Sequence, residues 1–171
     1  MNPFNLFDLP VDFHIDQNRL SERYLVLQKS LHPDNFAASS AQEQRLAMQR
    51  SAEINDALQT LKDPILRAEA IIQIHTGEQY NLEQTSNRDM AFLMQQMEWR
   101  ENLEQIEMQK SQDELMDFTT EIEQNQQTLL AELAITLSNQ QWQQAKAITD
   151  KLRFIKKLLV EVERVEEGLF G

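Results

Sequence analysis

The chain has 171 residues, no cysteine, few glycines and prolines, and a formal net charge of −12. That length suits one domain or two small ones with a real core. Without cysteine there are no disulfides, thiolate nucleophiles or cysteine metal sites, and the excess of acids argues against nucleic acid, because phosphate contacts need clustered Lys and Arg.

His14, His32 and His75 are far apart and do not pair as ligands, so no metal and no other cofactor is expected. No apolar run is long enough to span a bilayer, and the first residues lack a secretory or Arg-rich organelle pattern. A cytoplasmic protein with no membrane partner is the expectation. Helical periodicity with few breakers predicts an all-α fold. Residues 1–75 carry 7 Lys+Arg against 10 Asp+Glu, and residues 76–171 carry 9 against 18, so the two parts are expected to meet different partners.

Pro3 to Leu9 reads as a short helix or turn bringing Phe4, Leu6, Phe7 and Leu9 to a small core. Asp16 then caps a helix reaching about His32, with Leu20, Tyr24, Leu27 and Leu31 on its buried stripe. Arg19, Arg23 and Lys29 lie off that stripe. They make either a solvated face or a basic contact surface. Pro33 stops the helix and leaves His32-Pro33-Asp34 at the tip of a helical hairpin, facing solvent. Such a tripeptide is also ordinary loop punctuation when it stands alone.

Ser40 with Glu43 forms a capping box, and Ala47, Ser51, Ile54, Leu58 and Leu61 trace one face of the returning helix. The two helices pack antiparallel, as short connections favour. Asp63-Pro64 starts another helix, in which Ile65, Ala68 and Ile72 continue an apolar face to Thr76-Gly77, and His75 either extends that face or makes a favourable dipole contact at the helix C-terminus.

Arg23-Tyr24, Leu27, His32-Pro33-Asp34, Ile54-Asn55, Ala57, Leu61, Asp63-Pro64 and Arg67-Ala68 together resemble the J-domain, the helical hairpin of DnaJ-type co-chaperones. The resemblance covers residues 1–76. It implies that Arg19, Arg23, Lys29, His32, Pro33 and Asp34 engage a DnaK-class chaperone and trigger ATP hydrolysis there, so that this chain is no enzyme. Asn35 departs from the Lys that many J-domains carry. Residues 77–86 lose periodicity and read as a linker.

The remainder, 87–171, reads as a three-helix bundle. Ser86 with Asp89 is expected to cap a helix from about Asn87 to Met108. That helix has two apolar stripes: Phe92, Trp99, Leu103 and Ile106 on one face, and Met90, Leu93, Met94 and Met97 among Glu98, Glu101 and Gln105 on another. One stripe suffices for an ordinary surface helix. The second either fills core gaps or meets a partner, and its interleaved acids favour the partner. Ser111 with Glu114 caps the next helix, whose seam is Leu115, Phe118, Ile122, Leu129 and Leu133. Ser138-Asn139 is expected to break it and cap the last. There Trp142, Ala145, Ile148, Leu152, Ile155, Leu159 and Val162 form the seam, and Phe154 is expected to point well away from it.

Arg88-Asp89, Ala91-Phe92-Leu93-Met94, Gln96-Met97-Glu98 and Arg100-Glu101, with Lys151-Leu152-Arg153-Phe154 near the end, extend the resemblance over essentially the whole chain. They are similar to the HscB family, the J-domain co-chaperones of iron-sulfur cluster assembly. That resemblance implies a monomer whose J-domain stimulates the chaperone HscA. Its bundle would hold the cluster scaffold IscU through Leu93, Met94, Met97, Glu98, Glu101 and Phe154. Gln105 stands where an acid is common. The amino-terminal cysteine pairs of some eukaryotic relatives are absent, so no zinc is implied. A J-domain protein with a different client is the alternative. Glu98 and Glu101 could be drawn as paired catalytic carboxylates, but no nucleophile, phosphate loop or metal set accompanies them.

Overall fold

A computed structural model describes residues 2–77 and 89–171. Among these residues there are seven α-helices, one 3-10 turn and no strand, so the fold is all-α as expected. The chain divides into two compact units, Met1–Glu78 and Gln79–Gly171, each with its own core. No helix among the described residues is long and apolar enough to cross a membrane.

In the first unit, α1 (Pro3–Leu6) starts with Asn2 accepting from the Asn5 N–H at 2.9 Å and with Pro in its first turn. Phe4, Phe7, Leu9 and Phe13 are buried, whereas Leu6 is only half-buried. The Asp16 carboxylate caps α2 (Gln17–Ser30) by accepting from the Asn18 and Arg19 N–H groups. Of the stripe expected on α2, only Leu20 is fully buried; Tyr24, Leu27 and Leu31 are half-buried. The physical reason is a polar seam against α3 (Ala41–Lys62). The Tyr24 hydroxyl donates to Asn55 Oδ1 at 2.7 Å, and Gln28 Nε2 donates to the same oxygen at 3.0 Å. Ser51 Oγ donates to Gln28 Oε1 at 2.8 Å.

Ser40 accepts from the Glu43 N–H, and Ala47, Ile54, Ala57, Leu58 and Leu61 are the buried face of α3. Asp63 accepts from the Ile65 and Leu66 N–H groups to start α4 (Pro64–Thr76), which ends at Gly77 in the left-handed region (φ 72°) that glycine tolerates without strain. His75 is exposed in the last turn of α4, where it suits a dipole contact at the helix C-terminus rather than the apolar face. Arg67 is buried. Its Nη1 donates to the Leu61 carbonyl at 2.6 Å, and its guanidinium carbon sits 4.8 Å from the centre of the Phe13 ring. Burial lowers its pKa, against the opposing pull of Asp63.

The second unit packs α5 (Met90–Gln109), α6 (Gln112–Ser138) and α7 (Trp142–Phe170). Helix α5 begins later than expected. Asp89 is itself the cap, accepting from the Phe92 N–H at 3.0 Å, while Ser86, Asn87 and most of the expected linker lie outside the described residues. Lys110 turns the chain in the left-handed region, and Ser111 accepts from the Glu114 N–H to start α6. That helix continues unbroken through Asn125-Gln126-Gln127. Asn139 ends it as expected but does not cap α7. Gln140 takes a positive φ between them, and Gln141 starts α7 with no side-chain cap bond. The core joins Phe92, Trp99, Leu103 and Ile106 to Leu115, Phe118 and Ile122, and to Ile155, Leu158, Val162 and Val165.

Candidate functional site

Two side-chain groups stand out, one in each unit. The first is the hairpin tip. Helix α2 ends where the Leu31 N–H donates to the Leu27 and Gln28 carbonyls, and His32 then turns extended (φ −60°, ψ 138°) before a 3-10 turn, Pro33–Phe36. Pro33 fits the first position of that turn because its φ is already fixed and it needs no acceptor. His32 caps the turn: its Nδ1 accepts from the Asp34 N–H at 3.2 Å. The same nitrogen lies 3.6 Å from Asp34 Oδ2. In the neutral imidazole, an Nδ1 that accepts this bond leaves the ring proton on Nε2.

The tip is therefore fixed by its backbone and open at its side chains. The His32 and Asp34 side chains are 60% and 92% exposed. Asn35, given no role by sequence except as a missing lysine, ties the tip to the helix. Its Nδ2 donates to the Lys29 and Ser30 carbonyls at 2.8 and 3.3 Å, at the end of α2 where carbonyls run out of intrahelical donors. From α3, Gln44 donates to the Phe36 carbonyl at 3.0 Å.

The basic residues expected around the tip do not share one situation. Arg19 and Lys29 are exposed on α2. Arg23 is half-buried and donates through Nη1 to the Phe7 carbonyl at 2.7 Å and to the Asp8 carbonyl, closing the turn after α1. Its side chain is held on the α1 flank of α2.

The second group lies on α5. Phe92 and Trp99 are buried, while Met90, Met94 and Met97 are each more than 60% exposed and Leu93 is half-buried beside them. Glu98, Glu101 and Gln105 are exposed among them. The expected second stripe is therefore real and unburied within this unit.

Phe154 corrects its sequence reading. It does not point away from the bundle but packs half-buried on the core cluster. Its ring is stacked with Trp99 (6.2 Å between centroids, 14° between planes) and edge-on to Phe92 (5.8 Å, 86°). The reason is that α7 has two neighbours. The predicted seam faces mainly α6, and a second flank through Phe154, Leu158 and Val165 faces α5. The Arg100 guanidinium carbon lies 5.3 Å from the centre of this ring. Arg100 follows Leu93 by seven residues and Met97 by three, so all three share one side of α5. Phe154 thus comes next to the Leu93–Met97 side of the helix, a juxtaposition that the sequence could not show.

Lys151 locks the start of this surface. Its Nζ is 3.3 Å from Asp89 Oδ2 and 5.6 Å from the Phe92 ring centre. The Phe92 N–H, and after it Lys151, hold the Asp89 carboxyl below the usual carboxylate range.

The family model for the HSCB C-terminal oligomerisation domain matches residues 88–163. A protein of Pasteurella multocida named co-chaperone protein HscB homolog is 75% identical over 169 residues, covering 99% of this chain and 98% of that protein. The chaperone HscB from Vibrio cholerae superposes with a TM-score of 0.88 at 43% identity, covering 99% of this chain and all of the other. The human co-chaperone HscB superposes with a TM-score of 0.87 at 25% identity, covering 95% and 81% of the two chains. An exposed hairpin tip and a three-helix bundle, in a chain alike over its whole length to such proteins, define a helical co-chaperone. More narrowly, the chain belongs to the HscB family.

Proposed function

We propose that the first unit acts as a J-domain and stimulates ATP hydrolysis by the DnaK-class chaperone HscA, while the second holds the iron-sulfur scaffold IscU and delivers it. The protein works in the cytoplasm and hydrolyses nothing itself. His32, Pro33 and Asp34 act at the tip, with Arg19 and Lys29 as charged contacts; Arg23 contributes by fixing the α1 turn behind them. Leu93, Met94, Met97, Glu98, Glu101 and Phe154 form the scaffold surface, an apolar centre rimmed by acids. The observation that carries this reading is the fixed, solvent-open His-Pro-Asp tip on a chain that matches HscB co-chaperones over its full length. Joining both surfaces in one chain raises the local concentration of scaffold at the chaperone.

The test is the steady-state ATPase rate of purified HscA, with this protein and IscU added separately and together. Synergy that vanishes in His32→Gln, with IscU binding retained, supports the division of labour. Loss of both activities in that variant, with helix content preserved, refutes it.

A further inference from the structure

The described methionines share one situation. Met48, Met90, Met94, Met97, Met108 and Met116 are all exposed, and the buried apolar side chains of both units are Phe, Trp, Leu, Ile, Val and Ala. Methionine commonly fills core gaps, yet no described core here uses it. Met90, Met94 and Met97 stand together at the start of α5. Steps of about 100° per residue put Met90 and Met97 within about 20° of one another, with Leu93 on one flank of that ridge and Met94 on the other. Among the described residues the first unit holds only Met48, which lies on α3 and outside the tip.

With no cysteine in the chain, the thioether is the group that mild peroxide attacks first. Its sulfur takes one oxygen atom from hydrogen peroxide. The O–O bond breaks, an S=O bond forms, the sulfur gives up two electrons and the rest of the peroxide leaves as water. An apolar, flexible side chain becomes a polar one. In a core that change disrupts packing, but here every described sulfur can be oxidised with both cores left intact. On a free surface, water solvates the new oxygen. Under a docked apolar partner it is buried without a donor, and that is costly.

We propose that Met94 and Met97, with Met90 beside them, form a reversible oxidation site at which peroxide detaches the scaffold and leaves the chaperone contact working. The inference rests on the scaffold surface proposed above and names how that surface is regulated. The thioethers hold its apolar centre, between Leu93 and the acids Glu98 and Glu101, so their oxygens fall where docking excludes water. The tripeptide tip and the basic residues of α2 include no methionine, so stimulation through them persists. Reversal needs a methionine sulfoxide reductase: the oxygen leaves as water while two thiols become a disulfide, and the thioether returns. The oxidised chain thus engages the chaperone without presenting the scaffold.

The experiment treats the full-length protein with dilute hydrogen peroxide, removes the oxidant, and locates the added oxygens by mass spectrometry. Calorimetric titration with untreated IscU then reads Kd, and the ATPase rate of HscA without IscU reads the other contact. Treatment should raise Kd about tenfold or more, with circular dichroism and HscA stimulation unchanged. A methionine sulfoxide reductase with a dithiol should restore the starting Kd. M90L/M94L/M97L, compared with its own untreated form, should show no shift on treatment, whereas M48L/M108L/M116L should lose affinity as wild type does. Treated wild type that carries sulfoxide at Met94 and Met97 yet binds IscU as tightly overturns the inference and leaves the scaffold reading intact. A peroxide effect of wild-type size in M90L/M94L/M97L overturns it too. Untreated wild type that binds no IscU overturns the scaffold reading and this inference with it.

Discussion

Phe154 offers the sharpest check on the second unit, because its ring is assigned both to the core and to the scaffold surface. Truncation to Ala removes the stacked contact with Trp99, the edge contact with Phe92 and the surface under Arg100. Emptying a fully buried Phe site costs about 3–5 kcal/mol; a half-buried ring should forfeit roughly half, about 2 kcal/mol, aromatic pairing included. At about 1–3 kcal/mol per molar urea, the unfolding midpoint should fall by about 0.7–2 M. Phe154→Leu retains most of the volume and should cost less than about 1.5 kcal/mol, yet it loses the planar face. Urea unfolding followed by far-ultraviolet circular dichroism and tryptophan fluorescence measures the first effect, with Trp99 as the reporter against the ring. Calorimetric titration with IscU measures the second, and Phe154→Leu should weaken binding about tenfold although the protein stays folded. An unchanged midpoint and unchanged fluorescence in Phe154→Ala would refute the packing. Full IscU affinity in Phe154→Leu would remove the aromatic ring from the scaffold surface.

Asn55→Ala deprives the Tyr24 hydroxyl and Gln28 of their shared acceptor between α2 and α3. Stability of the first unit should drop by about 1–2 kcal/mol with IscU affinity unchanged; an unaltered thermal midpoint for that unit would show that water replaces the network at no loss. Asp89→Asn keeps a competent helix cap but drops the charge facing Lys151. Because the Phe92 N–H and Lys151 lower the folded pKa of Asp89, its charged form adds stability above the ordinary aspartate value of about 3.9. That contribution is lost as pH falls through the lower folded value. The gap between Asp89→Asn and wild type in urea midpoint should thus be full at neutral pH and close in strong acid; a gap constant across that range would contradict the charge assignment.

The sequence was most legible where structure is decided within three or four residues. Ser40, Asp63 and Ser111 cap their helices through the N–H groups that their spacing implies, and Pro33 ends α2 as its ring requires. Buried faces of α3 and α5 followed from 3.6-residue periodicity. What could not be read depends on which element lies alongside. Phe154 looked stranded because a single seam was assumed for a helix with two neighbours. Arg23 looked like a surface charge because its acceptors are carbonyls about fifteen residues earlier, and carbonyls leave no trace in side-chain pattern. Asn35 looked like a lost lysine because only the fold brings its amide back to the carbonyls at the end of α2. Arg100 was within reach: an arginine seven residues after Leu93 and three after Met97 shares their helix side, a signal that periodicity alone carries.

The short-range bonds around the tip suit it to the trigger role proposed for it. A loop that must be ordered on docking loses part of its binding free energy to that ordering. Here the ordering is complete before any partner arrives: Pro33 fixes one torsion, His32 Nδ1 holds the Asp34 N–H, and Asn35 and Gln44 hold the carbonyls on either side. All of these bonds use backbone groups or the inner nitrogen of the imidazole. His32 Nε2 and both Asp34 carboxylate oxygens take no part in these bonds. Replacing Asn35 by a residue that cannot reach the Lys29 carbonyl would therefore loosen the tip without touching any group proposed to meet the chaperone. Rigidity at this site is a property of α2's last turn as much as of the tripeptide itself.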